Sequence, residues 1–217
     1  MPKAFSEQER VRIRERLIEQ GYAQFSAHGL RKTSVEELAV AAGISKAAFY
    51  LFFESKETLF MDVVERAEES YRKEILAALA EQPKTLPPRV RFVAALRKAF
   101  TLYKTIPILQ YFNRGDYEIL ARRIPLEKIQ EHTASDRQFM LDLIDACRAN
   151  GIPIRRTADE VAGMMYVIFL TVLNEDVFGP GAMTVTIEQL LELVAAFCLG
   201  EVDVPPPAPD SHLAAHT

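Results

Sequence analysis

"GISKAAFYLFFESKE", residues 43–57, decides how this chain folds. A glycine opens it, Ser45 and Lys46 follow, and the run Phe49-Tyr50-Leu51-Phe52-Phe53 leads to Ser55-Lys56-Glu57. A short helix of this composition buries its apolar middle and shows polar and cationic groups at its ends. Immediately upstream, Ser34 and Glu37 have the spacing in which a serine caps a helix and a glutamate three residues on caps it back. They predict a short helix from Val35 to Ala42, stopped by Gly43. Ser6 and Glu9 repeat the signature. They open a first helix with Leu17, Ile18, Tyr22 and Phe25 on one face and Gly29 at its end. Downstream, Ser55 caps a long helix with Leu59, Val63, Ala67, Tyr71, Ile75 and Leu79 at four-residue steps.

Beyond that helix, "EQPKTLPPR" breaks the pattern near residue 83, and Pro107, Pro125, "NGIP" at 150–153 and "GPG" at 179–181 break it again. The segments between these breakers predict helices at 88–104, 108–121, 126–149, 157–177 and 185–199. No alternating strand pattern and no internal repeat is present, so the expected fold is all-α. The ending "VDVPPPAPDSHLAAHT" is rich in proline, and residues 201–217 are expected to be a disordered tail. Of 217 residues, 49% are hydrophobic, enough for a sizeable core. The net charge is −4. Residues 1–60 hold nine Lys/Arg against eight Asp/Glu, leaving seventeen against twenty-two for the rest. A polyanion would therefore meet the N-terminal part, with the acidic body turned away.

Two short helices joined by a three- or four-residue turn containing glycine form a helix-turn-helix, whose second helix enters the major groove by its N-terminal end. That geometry accounts for the quoted stretch. Ser45 and Lys46 stand at the helix tip, Phe49 and Phe53 face inward with Ile44 and Leu38, and Tyr50 sits at the edge with its hydroxyl toward a phosphate. Residues 21–60 resemble the DNA-binding segment of TetR-family transcriptional regulators. The resemblance is carried by Phe25, Gly29, Thr33-Ser34, Leu38-Ala39, Ala42-Gly43-Ile44-Ser45, Tyr50, Phe53 and Ser55-Lys56-Glu57. It implies a three-helix DNA-binding domain at 1–54 and a helical effector-binding and dimerisation domain at 55–200. Residue by residue, it implies phosphate contacts from Thr33, Ser34, Tyr50 and Lys56, and places Ser45, Lys46, Ala47 and Ala48 against bases. Ser34 and Ser55 read equally well as plain helix caps. Ala47-Ala48 stand where the family often has glycine and a polar residue, and Phe52 where it often has histidine. With so few hydrogen-bonding groups on this helix, Ala47, Ala48 or Leu51 against thymine methyls is the expected mode of base reading.

One helix-turn-helix reads too few bases, so a homodimer on a near-palindromic double-stranded operator is expected. "VAGMMYVIFLTVL" is apolar nearly all round and "IEQLLELVAAFCL" adds a further apolar face, so the last two helices are the expected dimer contact. The resemblance places it there too. A small-molecule effector is expected in the same domain. Tyr103, Tyr111, Phe112, Met140, Met164, Met165 and Phe169 are large, adaptable side chains that suit a lipophilic or aromatic ligand. Each is individually also an ordinary core residue.

Nothing points to catalysis: there is no glycine-rich phosphate loop, no GxSxG and no His-Glu pair on a helix. His28, His132, His212 and His216 are scattered, so no metal is expected, and no cofactor. Cys147 and Cys198 lack CxxC or zinc spacing and read as buried free thiols, with a redox-sensing pair as the alternative. The start lacks a signal peptide and the longest apolar run is too short for a bilayer. A cytoplasmic protein without membrane partners is the expectation. The competing class is a helical protein-interaction adaptor without DNA binding.

Overall fold

The computed structural model describes residues 5–110, 116–173 and 182–202, and those residues form helices without strands. Among the described residues ten helices follow one another: α1 (Glu7–Lys32), α2 (Val35–Ala41), α3 (Lys46–Phe49), α4 (Lys56–Ala80), α5 (Pro88–Thr105), α6 (Pro107–Gln110), α7 (Asp116–Arg123), α8 (Leu126–Ala149), α9 (Ala158–Leu173) and α10 (Ala182–Cys198). The expected caps are in place. The hydroxyls of Ser6, Ser34 and Ser55 accept from the backbone N–H three residues on, and the side chains of Glu9, Glu37 and Thr58 reciprocate. Of the single helix expected at 108–121, α6 and α7 are the described parts, and residues 111–115 lie outside the described residues. Residues 203–217, where a disordered tail is expected, lie outside the described residues. Among the described residues no helix is long and apolar enough to cross a membrane.

Two apolar cores organise these helices, and α4 belongs to both. In the head, Leu17, Phe25, Leu30, Leu38, Phe49 and Phe53 pack on Leu59, Phe60, Val63 and Val64 of α4. In the body, Tyr71, Ile75 and Leu79 of the same helix pack with α5, α8, α9 and α10. Ile108, Leu109, Leu120 and Ile124, from α6 to just after α7, join the head core although they follow α5 in sequence. The body thus reaches back to grip the head. Charged groups reinforce that grip: Arg123 reaches buried Glu57 at 3.2 Å, and Lys128 reaches Asp62 at 3.3 Å.

The approach of α1 to α4 depends on Gly21. A Cβ there would meet Val63 Cγ2 at 3.0 Å, Phe25 Cε2 at 3.3 Å and Leu59 Cδ2 at 3.4 Å. The end of α1 depends on a second glycine. Gly29 has φ 76° and ψ 169°, a conformation for residues without a Cβ, and one further turn runs to Lys32. The sequence placed the helix end at Gly29 itself.

This kink leaves the last carbonyls of α1 without helical partners, and two residues expected to contact phosphates satisfy them instead. The Thr33 hydroxyl donates to the Gly29 carbonyl at 2.9 Å, and the residue is only 2% exposed. The Lys56 ammonium donates to the carbonyls of Leu30 and Thr33, each at 2.7 Å, and of Arg31 at 3.3 Å. An ammonium over the C-terminal carbonyls of a helix is also favoured by the helix dipole. Both side chains, expected to face phosphates, here join the end of α1 to the start of α4.

Two substitutions check this packing by chemical denaturation. Lys56→Met removes charge-assisted hydrogen bonds and should lower stability by about 2 kcal/mol, while leaving the salt dependence of nucleic-acid binding unchanged. Gly21→Val should cost about 2 kcal/mol by forcing α1 off α4.

Candidate nucleic-acid interface

The second helix of the head is seven residues long, and α3 is a single turn. Gly43, with φ +72°, makes the corner between them. The Gly43 N–H donates to the Val40 carbonyl at 3.0 Å and the Ile44 N–H to the Ala39 carbonyl at 2.9 Å, so the turn is tied to α2 through its backbone. Ser45 then caps α3, its hydroxyl accepting from the Ala48 N–H at 3.1 Å. After Phe49 the chain continues as tight turns, with Leu51, Phe52 and Phe53 donating to the carbonyls of Ala48, Phe49 and Phe49.

Beneath this corner Leu38 and Phe49 are fully buried, Ala39 and Ala42 are 1% exposed, and Phe53 packs its ring 5.9 Å from that of Phe49. Above it Lys46, Ala47, Tyr50 and Leu51 are exposed, Leu51 by 57% and Tyr50 by 51%. Ala48 is half-buried between the two layers. An exposed tyrosine and leucine just beyond a one-turn helix with a rigid floor are a surface built for contact. Lys46 stands 3.5 Å from Glu36, but both side chains are more than half exposed. Such a pair is weak in water and leaves the ammonium available to a phosphate. Ser34 is exposed, yet its hydroxyl already donates to the Glu37 carboxylate at 2.8 Å and accepts from the Glu37 N–H at 3.2 Å. The Ser34 N–H also donates to that carboxylate at 2.9 Å, and it and then the hydroxyl hold the Glu37 carboxyl below its usual range.

Arg10 was not singled out in the sequence. Its guanidinium lies 5.3 Å from the Phe52 ring centroid and donates to the Leu51 carbonyl at 3.3 Å, and Phe5 packs 5.9 Å from Phe52 on the same flank. Arg14 stacks likewise on Phe53 at 5.3 Å and pairs with Asp62. The phenylalanine at 52 therefore supports the reading corner from the side. The only sequence signal was a row of arginines at 10, 12, 14 and 16, which gives no partner.

In the body, the proposed effector residues divide. Tyr111 and Phe112 lie outside the described residues. Tyr103, Met140, Met164, Met165 and Phe169 all contribute to the body core, Met165 at 6% exposure and the others half-buried. Four rings meet there: Tyr103 lies 4.8 Å from Phe169 and 5.9 Å from Tyr71, and Phe100 lies 4.9 Å from Phe169. The Tyr103 hydroxyl donates to the Leu109 carbonyl at 3.0 Å, tying this cluster to α6 and so to the head core. A cleft of about 510 Å³ opens beside it, lined by Tyr22, Arg66, Tyr71, Leu102 and Ile106 among others. Cys147 and Cys198 are buried, and burial pushes both thiols up to about 12, so neither is a ready nucleophile at neutral pH.

Comparison with known proteins agrees with this architecture. Residues 17–63 match the family model described as bacterial regulatory proteins, tetR family. The "Probable acrEF/envCD operon repressor" of Escherichia coli K12 is 27% identical over 151 residues, a match spanning 66% of this chain and 66% of that one. The crystal structure of Thermus thermophilus FadR, a TetR-family transcriptional repressor in complex with lauroyl-CoA, superposes with a TM-score of 0.60 at 20% identity, covering 91% of this chain and 99% of that one. RolR in complex with resorcinol superposes at 0.55 with 20% identity, covering 92% and 91%. With the head matched in sequence and the head-and-body architecture matched in structure, the chain is similar in both to bacterial transcriptional regulators of the tetR family.

Proposed function

We propose that this regulator is a cytoplasmic homodimeric repressor that holds a near-palindromic operator and releases it when a small lipophilic or aromatic effector binds the body. The observation that carries the DNA half of this proposal is the corner at 43–51. Lys46, Ala47, Tyr50 and Leu51 stand exposed on a floor of fully buried Leu38 and Phe49. Lys46 and the Tyr50 hydroxyl take phosphates, and Ala47 and Leu51 take thymine methyl groups in the major groove. This face is made for binding; no catalytic role is assigned to it.

The second copy docks on α9 and α10. Tyr166, Val167 and Leu170 are exposed by 65%, 56% and 40%, and Val185 and Leu193 by 65% and 59%. An apolar face of this kind is covered in a stable protein, and a two-fold axis through it presents both heads to one side of a duplex. Glu188 and Glu192 of α10 are engaged within the chain by Arg97 and Arg89, which leaves the apolar residues to face the partner.

The effector displaces part of the ring cluster around Tyr103 and Phe169. Lauroyl-CoA and resorcinol, bound by the two structural relatives, are of the chemical kind that such rings and methionines accept. Because Tyr103 holds Leu109, and Leu109 packs in the head core, moving the ring shifts α6 against the head. An effector acts only by binding two arrangements of the heads unequally, and 1–3 kcal/mol of coupling changes operator affinity about 5- to 150-fold.

Selection of bound fragments from the source genome by the purified protein should enrich one near-palindromic site. On that site Lys46→Ala and Tyr50→Ala should each weaken binding at least tenfold, and Lys46→Ala should lower the salt slope by about one unit. Replacing thymine by uracil should weaken binding at one or more positions; unchanged affinity at every thymine would remove the methyl-reading role of Ala47 and Leu51. Tyr166→Glu with Leu193→Glu should give a monomer by light scattering that retains its helical spectrum and loses the palindrome.

A further inference from the structure

Along the flank of the reading corner, α1 sets two arginines one turn apart against two consecutive rings. Arg10 lies 5.3 Å from the Phe52 centroid, and Arg14 lies 5.3 Å from that of Phe53. Their charges differ in what meets them. Arg14 pairs with Asp62 of α4, whose side chain is only 9% exposed, so its charge is answered inside the head. Arg10 is exposed, and among the described residues no carboxylate pairs with it. Glu9 accepts from the Ser6 N–H at 2.8 Å, and exposed Glu7 and Glu54 form no ion pair with the guanidinium. The hydrogen bond of Arg10 goes to the backbone of the corner, where Nη2 donates to the Leu51 carbonyl at 3.3 Å. A continuing helix would have bonded that carbonyl to Ser55. Instead α3 ends at Phe49, and the Ser55 N–H donates to Thr58 Oγ1 at 2.9 Å. An arginine carries five N–H donors, of which this bond uses one.

We propose that Arg10 is a further operator contact, which takes one backbone phosphate at the edge of the groove that residues 43–51 enter. The inference rests on the proposed reading of that corner as the operator-binding face.

Position, shape and charge carry the assignment. In that reading Leu51 stands against a thymine methyl in the major groove. A guanidinium within hydrogen-bond reach of its main chain then lies beside the groove wall, since phosphates line a groove only about 12 Å wide. The Phe52 ring and the Leu51 carbonyl hold the planar fork before DNA arrives, so less side-chain freedom is lost when it meets a phosphate. Phe5, 5.9 Å from Phe52, steadies that ring in turn. With no carboxylate to displace, the charge is available to a phosphate oxygen. Arg14 is the contrast within the same helix: it stacks in the same way, but Asp62 already holds its charge. Sequence spacing could not separate the two arginines, because Asp62 and the Leu51 carbonyl meet them only in the fold.

The test measures binding of the full-length chain to the selected palindrome over a range of salt concentrations. Arg10→Met keeps an apolar stem on Phe52 and removes the fork, while Arg10→Lys keeps the charge. Arg10→Met should weaken binding at least fivefold and lower the salt slope by as much as Lys46→Ala does. Arg10→Lys should recover most of that slope. Replacing the operator phosphates one at a time by uncharged methylphosphonates should find one position in each half-site that weakens the parent and leaves Arg10→Met unaffected. An unchanged slope in Arg10→Met, beside a lowered one in Lys46→Ala, overturns the contact and leaves the operator reading standing. Weaker binding at an unchanged slope overturns it too, since Arg10 would then only brace Leu51. If the parent selects no palindrome, or Lys46→Ala also keeps its slope, the operator reading fails and this inference with it. If Arg10→Met does not fold, Arg10→Gln decides by the same two readouts.

Discussion

The structure hangs on one helix serving two cores. The 25 residues of α4 span about 38 Å. Leu59, Phe60, Val63 and Val64 are no more than 1% exposed in the head, and Leu79 is fully buried in the body. Each such side chain contributes roughly 1.5–3 kcal/mol by leaving water, so neither core can release α4 without losing much of its stability. The head is therefore tied to this rod and, through it, to the body core. Two features set the rod at its head end: the missing side chain at Gly21, which lets α1 lie close, and the Lys56 ammonium, which joins the end of α1 to the start of α4.

The return of α6 and α7 to the head gives that rod its second point of support. Ile108 and Leu109 are buried against it, and the Arg123–Glu57 and Lys128–Asp62 pairs flank them. The aromatic cluster of the body touches this support through one hydrogen bond from Tyr103. By contrast, the ion pairs of Arg89 and Arg97 with Glu192, Glu201 and Glu188 lie on the surface. Pairs of that kind hold α5 to α10 only weakly in water.

Much of this was legible in the sequence because it is written in local chemistry. Caps three residues apart, a glycine corner at 43 and apolar steps of four along α4 each depend on near neighbours, and the helices follow from them. What stayed hidden was decided across the fold. Thr33 and Lys56 carry the side chains that phosphate contacts ask for, yet the kink at Gly29 creates carbonyls that need them first. Phe52 read as an anomaly until Arg10 and Phe5 were seen against it. In the candidate interface, Lys46, Ala47, Tyr50 and Leu51 stand exposed because Phe49 and Phe53 take the buried side.

The reading corner separates two tasks between two sets of residues. Leu38, Ala39, Phe49 and Phe53 hold the shape from below, while the side chains of Ala47 and Leu51 stand exposed in the free protein. Changes at such exposed positions alter stability by about half a kcal/mol or less. A gene duplicate could therefore acquire a new target sequence through one or two substitutions there without first gaining stability to spare. On the proposed reading of the operator by these two side chains, the same arrangement makes crosstalk between sister copies easy to arise and easy to remove, set by selection on them and not by the limits of the fold.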